Sequence, residues 1–265
     1  MAVNNTNHAN FIPASYILGA KINKLDMIET LCQIDLFIQA GGFHQIITLN
    51  AEMLYAAQER PELLTLINGA DLVLPDGRGI VWACNYLKQP VPERVTGIDL
   101  LQQMLQQGSL NGWRFYFLGG RPNVARQAAQ LAEENHPGLQ IVGTRHGYFV
   151  ESEEADIVKE IADSRADILC VGLGFPRQDQ FIQKYGEQFN VKIAVGVGGS
   201  FDVLAGLVKR APLKWQKLGL EWLWRLCLEP SRWRRVMALP KFKWLVYKTA
   251  WTREDNTKNT TKKQL

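Results

Sequence analysis

Four segments of the chain carry polar side chains suited to proton transfer or to binding sugars and phosphates. Asp76, in LPDGRG, is a carboxylate that could accept a proton from a substrate hydroxyl. Arg94, in PERVTG, has a planar guanidinium that can clamp a diphosphate or a carboxylate with two hydrogen bonds. Gln178, in GFPRQD, offers a donor and an acceptor to a sugar hydroxyl, and Asn50, in TLN, carries the same amide group. Such groups suit a ligand that bears hydroxyls and phosphates.

Each of these residues also has a purely structural interpretation, which spacing alone leaves open. Asn50 would cap the helix that follows it. Asp76 would be a turn or cap residue, and Arg94 a solvated charge in a loop. Asp179 would cap the helix that begins beside Gln178.

The metal-binding and nucleophilic residues form no recognisable site in the sequence. The four histidines are scattered, and no Ser-His-Asp arrangement can be assembled from their spacing. There is no DxD or HExxH sequence and no carboxylate cluster, so neither a tightly held divalent metal nor another cofactor is predicted. The four cysteines are isolated, which favours a reducing compartment over a disulfide framework or a structural zinc.

Short apolar runs alternate with longer helical patterns, which indicates βα units around a mostly parallel sheet with helices on both faces. FYFLGG, ADILCVGLG and KIAVGVGGS are continuously apolar, as strands covered on both faces are. The predicted strands are 16–22, 45–49, 71–74, 114–118, 140–144, 167–172 and 192–196. The predicted helices are 24–40, 52–58, 61–68, 79–87, 97–107, 123–135, 153–164 and 178–189.

Glycines lie at the carboxyl ends of three of the predicted strands or just after them. They are Gly119, Gly120, Gly172, Gly174, Gly198 and Gly199. In an open α/β sheet, ligands bind at the carboxyl ends of the strands, and a glycine turn that opens a helix exposes N–H groups to phosphate. The pattern therefore predicts a nucleotide or phosphate-ester ligand. Because neither GxGxxG nor GxxxxGK[ST] occurs, a dinucleotide dehydrogenase and a P-loop NTPase are disfavoured.

The last quarter of the chain differs sharply from the rest in charge and in tryptophan content. Residues 209–265 contain fifteen Lys and Arg against four Asp and Glu, a formal charge of +11, whereas residues 1–208 carry −7. Six of the eight tryptophans also lie in 209–265. This composition fits an anionic membrane surface, with single-stranded nucleic acid and plain packing of the tryptophans as alternatives. Since no uninterrupted apolar stretch of about 18 residues occurs, membrane contact would be peripheral.

Eight segments in order resemble the WecG/TagA/CpsF family of bacterial glycosyltransferases over about Tyr16 to Lys248. They are TLNAEML, ADLVLPDGRGIV, PERVTGIDLLQQML, FYFLGGRPNVA, GYF, ADILCVGLGFPRQDQFI, VGVGGSFDVLAG and RAPLKWQKLGLEWLWRLCLEPSRWRRVMALPKF. The resemblance implies a Rossmann-like core and inverting transfer of a hexose from a UDP-sugar to a polyprenyl-diphosphate-linked sugar in cell-surface polysaccharide synthesis. N-acetylmannosamine is the expected sugar, and the resemblance implies a peripheral enzyme on the cytoplasmic face of the plasma membrane.

The resemblance also implies roles for individual residues. Thr48 and Asn50 match the TxN pocket, Asp76 the proposed general base, and Arg94 and Gln178 the RVxG and GxPxQ positions. Tyr148 and Asp202 match positions near the nucleotide. Arg225, Arg232 and Arg235 match arginines that complete the site over the diphosphate. Asp179 departs from the pattern, since relatives more often have Glu there.

The resulting domain prediction has four parts: 1–15 disordered, 16–208 the catalytic core, 209–250 a membrane-associating appendage and 251–265 disordered. The predicted partners are a UDP-sugar donor, a polyprenyl-diphosphate-sugar acceptor and an anionic membrane surface. Nucleic acid is not expected because the core is acidic, and the tryptophans would favour a homo-oligomer in solution. The alternative function is a non-enzymatic UDP-sugar-binding protein that docks on membranes through the basic tail.

Overall fold

A computed structural model describes residues 12–230 and 233–262 of the chain. Its strands are β1 Ala14–Ile17, β2 Ala20–Asn23, β3 His44–Leu49, β4 Leu72–Pro75, β5 Arg114–Gly119, β6 Gln140–Arg145, β7 Ile168–Gly172 and β8 Ile193–Gly196. The helices before the appendage are α1 Met27–Ala40, α2 Ala51–Glu59, α3 Pro61–Gly69, α4 Arg78–Tyr86, α5 Gly97–Asn111, α6 Val124–Asn135, α7 Glu154–Asp163, α8 Arg177–Tyr185 and α9 Ser200–Leu204. The later helices are α10 Leu213–Leu218, α11 Glu221–Leu228, α12 Trp233–Val236 and α13 Ala238–Lys262.

Six strands form one sheet in the order β4-β3-β8-β7-β5-β6, and every pairing in it is parallel. Alternate side chains of one strand enter different core layers. Phe115 and Phe117 pack with α5 and α6, whereas Tyr116 and Leu118 pack with α7 and α8. Both faces of the sheet are thus covered by helices, which explains the continuous apolar runs. The predicted α/β class and mostly parallel sheet are confirmed.

The predicted strand 16–22 is wrong, because this segment is a hairpin. β1 and β2 pair antiparallel as a separate two-stranded sheet, with Ile17 opposite Ala20. Leu18 and Gly19 form the turn with φ of 50° and 82°. Two consecutive left-handed residues are the geometry that joins antiparallel strands through a two-residue loop. The hairpin packs on α3 and α4 and lies outside the parallel sheet.

The appendage helix α13 packs against α2 and α4. Phe242 and Val246, one helical turn apart, are buried there, whereas Trp244 and Trp251 are 64% and 71% exposed. Trp222 and Trp233 are also exposed. Plain packing in the core therefore does not account for these tryptophans. α13 continues to Lys262, across a stretch for which the sequence predicted no regular structure. No helix in the described ranges combines the length and apolarity needed to cross a bilayer.

Candidate active site

The carboxyl ends of β3 and β4 bring Thr48, Asn50 and Asp76 together. The Asp76 backbone N–H donates to the Leu49 carbonyl at 2.8 Å, which extends the pairing of the two strands. The Gly97 N–H, at the start of α5, lies 3.4 Å from Asp76 Oδ2. A Cβ at Gly97 would lie 3.0 Å from Thr48 Oγ1, so the helix start packs closely on the threonine. The half-buried Asp76 carboxylate therefore lies where two strand ends meet a helix N-terminus.

Asn50 has the structural role that its spacing allowed. It is the N-cap of α2, and its Oδ1 accepts a hydrogen bond from the Met53 N–H at 3.0 Å. This bond fixes the side chain one residue beyond β3. The Asn50 amide nitrogen takes no part in the cap and is the group by which this residue could bind a sugar.

Gln178 joins two of the glycine-rich turns. The side chain is buried, and its Oε1 accepts hydrogen bonds from the Gly174 and Gly198 N–H groups, both at 3.1 Å. Gly174 follows β7 and Gly198 follows β8, so one amide oxygen sets the spacing of the two turns. A Cβ at Gly196 would overlap the Gln178 amide nitrogen, which explains the glycine there. The geometry thus assigns the Gln178 oxygen to loop positioning.

Asp179 is a fully buried carboxyl behind these turns. Neither of its oxygens has a hydrogen-bond partner among the described residues, and Gln45 contacts only its backbone carbonyl. Burial raises the pKa of Asp179 from the ordinary 3.8 to about 7, and the neighbouring Gln178 amide opposes this increase. At neutral pH this position therefore carries an incompletely ionised acid. The structure gives Asp179 no cap hydrogen bond, so the capping interpretation is wrong.

We expect Asp179→Asn to stabilise the protein more at pH 8 than at pH 5. The unfolded chain releases this proton near pH 4 and the folded chain only near pH 7, so the free energy of unfolding falls as pH rises through that window. The gain should be about 3 kcal/mol larger at pH 8, by 1.4 kcal/mol per pKa unit over the roughly two units between pH 5 and the folded pKa. Urea unfolding at both pH values measures it, with the exposed Asp156→Asn as control. An equal gain in stability at both pH values would contradict a raised pKa for the buried Asp179 carboxyl.

The three glycine-rich strand ends pack directly on each other. Gly119, with a φ of 141°, lies so close to the Gly172 backbone that a Cβ would overlap it. A Cβ at Gly172 would lie 2.8 Å from the Gly198 carbonyl oxygen. The Gly120 N–H donates to the Gly172 carbonyl at 3.1 Å, and Gly199 precedes α9 as its N-cap. Close backbone packing is therefore one physical reason for these glycines, independent of any phosphate.

The other predicted nucleotide contacts lie near these turns. Asp202, in α9, is within 3.6 Å of Arg121 Nη2, which follows Gly120 in the turn after β5. Tyr148 is 66% exposed, and its N–H donates to His146 Nδ1 at 3.3 Å. Gly147 bonds to the Gly120 carbonyl and so places Tyr148 beside the same turn. An exposed ring next to this edge is suited to contact a ligand from solvent.

Arg94 contacts the appendage. Its Nη1 donates to Glu221 Oε2, in the first turn of α11, at 3.0 Å. Arg210 Nη2 lies 4.0 Å from the other Glu221 oxygen, and the same guanidinium donates to both oxygens of Asp99 at 2.6 and 2.8 Å. Thr96, the N-cap of α5, donates its hydroxyl to Asp99. A continuous chain of charged groups therefore joins α5 to α11.

A groove of about 960 Å³ opens between α4 and α10. It is lined by Arg78, Val81, Trp82, Asn85, Tyr86, Arg94 and Gln216. Trp82 and Tyr86 stack at 5.4 Å between ring centroids. One side of the groove is thus aromatic, and two arginines line it as well.

Among the predicted appendage arginines, only the side chain of Arg235 can be described. Its Nε lies 3.7 Å from Glu52 Oε1, in the first turn of α2, and the side chains are 62% and 44% exposed. Arg225 lies in α11, and Arg232 lies outside the described residues. In the described ranges, no group of three or more His, Cys, Asp and Glu is arranged to hold a metal ion.

Residues 15–256 match the model of the glycosyl transferase WecG/TagA/CpsF family. The chain belongs to this family. It is 34% identical over 231 residues to the N-acetylglucosaminyldiphosphoundecaprenol N-acetyl-beta-D-mannosaminyltransferase of Bacillus spizizenii, covering 83% of this chain and 88% of the relative. It is 33% identical over 234 residues to the protein of the same name from Staphylococcus aureus MRSA252, and the match covers 88% of this chain and 91% of that relative. The predicted family is confirmed.

In this glycosyltransferase, Asp99, Arg210 and Glu221, which form a charged network with Arg94, were not predicted from the sequence. All three lie inside segments that carry the family resemblance, IDLL, RAPLK and GLEW. Spacing gave no signal for them, because the Arg94–Glu221 and Asp99–Arg210 contacts join residues 127 and 111 positions apart.

Proposed function

We propose that this glycosyltransferase moves N-acetylmannosamine from a UDP donor to a polyprenyl-diphosphate-linked N-acetylglucosamine, with inversion at the anomeric carbon. The observation that carries the proposal is the Asp76 carboxylate, which lies where the carboxyl ends of β3 and β4 meet the start of α5. The names of the relatives support the sugar and the acceptor, and they specify a β product. UDP-N-acetylmannosamine is α-linked, so a β product formed from it requires inversion.

Asp76 is the proposed general base. It accepts the proton of the acceptor hydroxyl as that oxygen bonds to the anomeric carbon from the face opposite UDP. The bond between the anomeric carbon and the diphosphate breaks, and its electron pair leaves with UDP. Arg94 and the backbone N–H groups of the glycine turns would stabilise the charge that develops on the diphosphate. With these donors we propose turnover without a divalent metal.

The acceptor fits the groove between α4 and α10. Trp82 and Tyr86 offer apolar surface to the first isoprene units, and Arg78 offers positive charge to the lipid diphosphate. Because Arg94 belongs both to the groove and to the charged network, the groove leads from the appendage to the region of the proposed base. This arrangement would deliver a membrane-embedded acceptor to a site at the sheet edge.

The appendage would bind the inner face of the plasma membrane peripherally. Trp244 and Trp251 lie exposed on α13, with Lys241, Lys243 and Lys248 exposed on the same helix. Tryptophan partitions to the headgroup region, and each Lys near an anionic surface contributes about 1 kcal/mol. The exposed tryptophans and the positive charge therefore complement an anionic lipid surface.

We expect the double variant Trp244→Ala/Trp251→Ala to bind vesicles containing phosphatidylglycerol roughly 10- to 100-fold more weakly than the wild type, because it loses two aromatic rings from the interface. Sedimentation with vesicles at several salt concentrations measures the affinity. Tyr16→Ala, which removes an exposed aromatic ring from the β1–β2 hairpin, is the matched control. Equal binding by the double variant and the wild type would contradict docking through α13.

UDP release from a panel of UDP-sugars tests the enzymatic proposal. The assay contains a short-chain polyprenyl-diphosphate-N-acetylglucosamine and EDTA. We expect release from UDP-N-acetylmannosamine alone and only in the presence of the acceptor. Binding of UDP without turnover of any donor, with or without added Mg²⁺, would favour the non-enzymatic alternative.

A further inference from the structure

We propose that Glu221 is a positioning residue that orients Arg94 in the active site, and that Arg210 and Asp99 hold Glu221 in place. The inference rests on the proposed function, in which Arg94 stabilises the diphosphate of the departing UDP. It gives the appendage an acidic contribution to the active site, in addition to the arginines that the family resemblance assigned to it.

The contacts form one connected chain. Arg94 donates to one carboxylate oxygen of Glu221 at 3.0 Å, and Arg210 lies 4.0 Å from the other. Arg210 is itself fixed by two short hydrogen bonds to Asp99. Asp99 Oδ2 also accepts a hydrogen bond from the Thr96 hydroxyl, and the Asp99 backbone N–H donates to that hydroxyl in return. These contacts therefore end at the N-terminus of α5, where Thr96 is the N-cap.

Burial makes this chain stronger than an ordinary surface ion pair. Side-chain exposure is 23% for Arg94, 27% for Glu221, 26% for Arg210 and 34% for Asp99. Exposed pairs contribute little because water and salt screen them, whereas partly buried, bidentate pairs hold a defined geometry. Burial by itself raises the pKa of Asp99, but hydrogen bonds from Arg210 and Thr96 outweigh it and lower the pKa below its usual range. Asp99 therefore stays ionised and keeps Arg210 in place.

The connected charged residues lie near the proposed base, Asp76. The Asp76 carboxylate lies close enough to Arg210 to contribute to raising its pKa, behind the larger effects of Asp99 and Glu221. The carboxylate of Glu221 gives Arg94 a fixed partner and points its remaining donors in one direction. Such preorganisation lowers the entropy lost when the guanidinium takes up a diphosphate.

Steady-state kinetics of the full chain test the kinetic consequence. We expect Glu221→Gln to lower kcat roughly 10- to 100-fold while KM for the donor changes less than about threefold, as for the loss of one oriented charge-assisted hydrogen bond. Glu221→Asp, which keeps the charge, should recover part of the loss. Glu134→Gln removes the same charge from an exposed position on α6 and should match the wild type. A Glu221→Gln variant as fast as the wild type overturns the proposal, and a faster one would show that Glu221 blocks Arg94.

Nitrogen-15 NMR of the arginine side chains provides a readout independent of turnover. In the wild type and in Glu134→Gln, the Arg94 Nη signals should show hindered rotation of the guanidinium, and in Glu221→Gln they should show fast rotation. Arg94→Lys assigns the signals. Unchanged Arg94 signals in Glu221→Gln overturn the inference even if no donor is ever turned over, so its failure is distinct from that of the proposed function. Hydrogen exchange over 213–228 separates positioning from folding, since loss of protection there would make the role structural and contradict the proposal.

Discussion

Asp76→Asn is expected to lower kcat for sugar transfer roughly 10²- to 10⁴-fold, the usual contribution of a general base. Asparagine has almost the same shape and can still accept the Gly97 N–H, but it cannot take a proton from the acceptor hydroxyl. UDP affinity should therefore stay within about threefold of the wild type, because the change removes an interaction made in the transition state.

Initial rates with saturating donor and acceptor, together with UDP binding by calorimetry, measure both quantities. Asp71→Asn is the matched control, since Asp71 immediately precedes β4 and lies at the opposite end of that strand from Asp76. It accepts the Gln45 N–H, a bond that asparagine can also make. More than a tenth of the wild-type kcat in Asp76→Asn would rule out this residue as the base.

Gln178→Ala is expected to lower kcat/KM about 10²-fold or more and to cost about 2–3 kcal/mol of unfolding free energy. The substitution leaves the Gly174 and Gly198 N–H groups without their shared acceptor and opens a cavity between β7 and β8. Both turns then lose the spacing that the proposed nucleotide site needs. The stability loss and the activity loss share one cause.

Urea unfolding and steady-state kinetics measure the two effects on one protein preparation, and calorimetry measures UDP binding. Gln180→Ala, two residues along the same helix and exposed, should change neither by more than a few tenths of a kcal/mol. If Gln178→Ala lost stability but bound UDP and turned over at wild-type rates, the two turns would lie away from the active site.

Much of the fold follows from the sequence because its strands are unusually clear. The six strands of the parallel sheet lie within two residues of their predicted bounds, since each is a short apolar run that ends in glycine or a polar residue. The β1–β2 hairpin was missed for a local reason. Its turn uses Leu18 and Gly19, whereas the recognised two-residue signals pair glycine with Asn or Asp.

The sequence predicts where in the fold the candidate site lies, but it does not predict which contacts its side chains make. Residues that follow parallel strands must meet at one edge, so Thr48, Asn50 and Asp76 come together as expected. How each side chain is used depends on partners that no local pattern reveals. The Gln178 side-chain oxygen accepts hydrogen bonds from two backbone N–H groups. Arg94 forms an ion pair with a carboxylate more than a hundred residues away in the sequence.

The tryptophans of the appendage show the same limit. Composition indicated a surface for membranes, nucleic acid or packing, and the orientation of α13 argues only against packing of Trp244 and Trp251 in the core. The helix buries Phe242 and Val246 against the core and turns Trp244 and Trp251 outward. Residues four apart share one helix face, but which face meets the core depends on α2 and α4.

The most direct test of the central proposal is the structure of the product formed from UDP-N-acetylmannosamine and polyprenyl-diphosphate-N-acetylglucosamine in EDTA. Mass spectrometry counts the sugars on the acceptor, and proton NMR of the anomeric position gives its configuration. We predict that the acceptor gains one N-acetylhexosamine and that the new linkage is β. An unchanged acceptor would contradict the assigned reaction, and an α linkage would contradict direct inversion with Asp76 as the base.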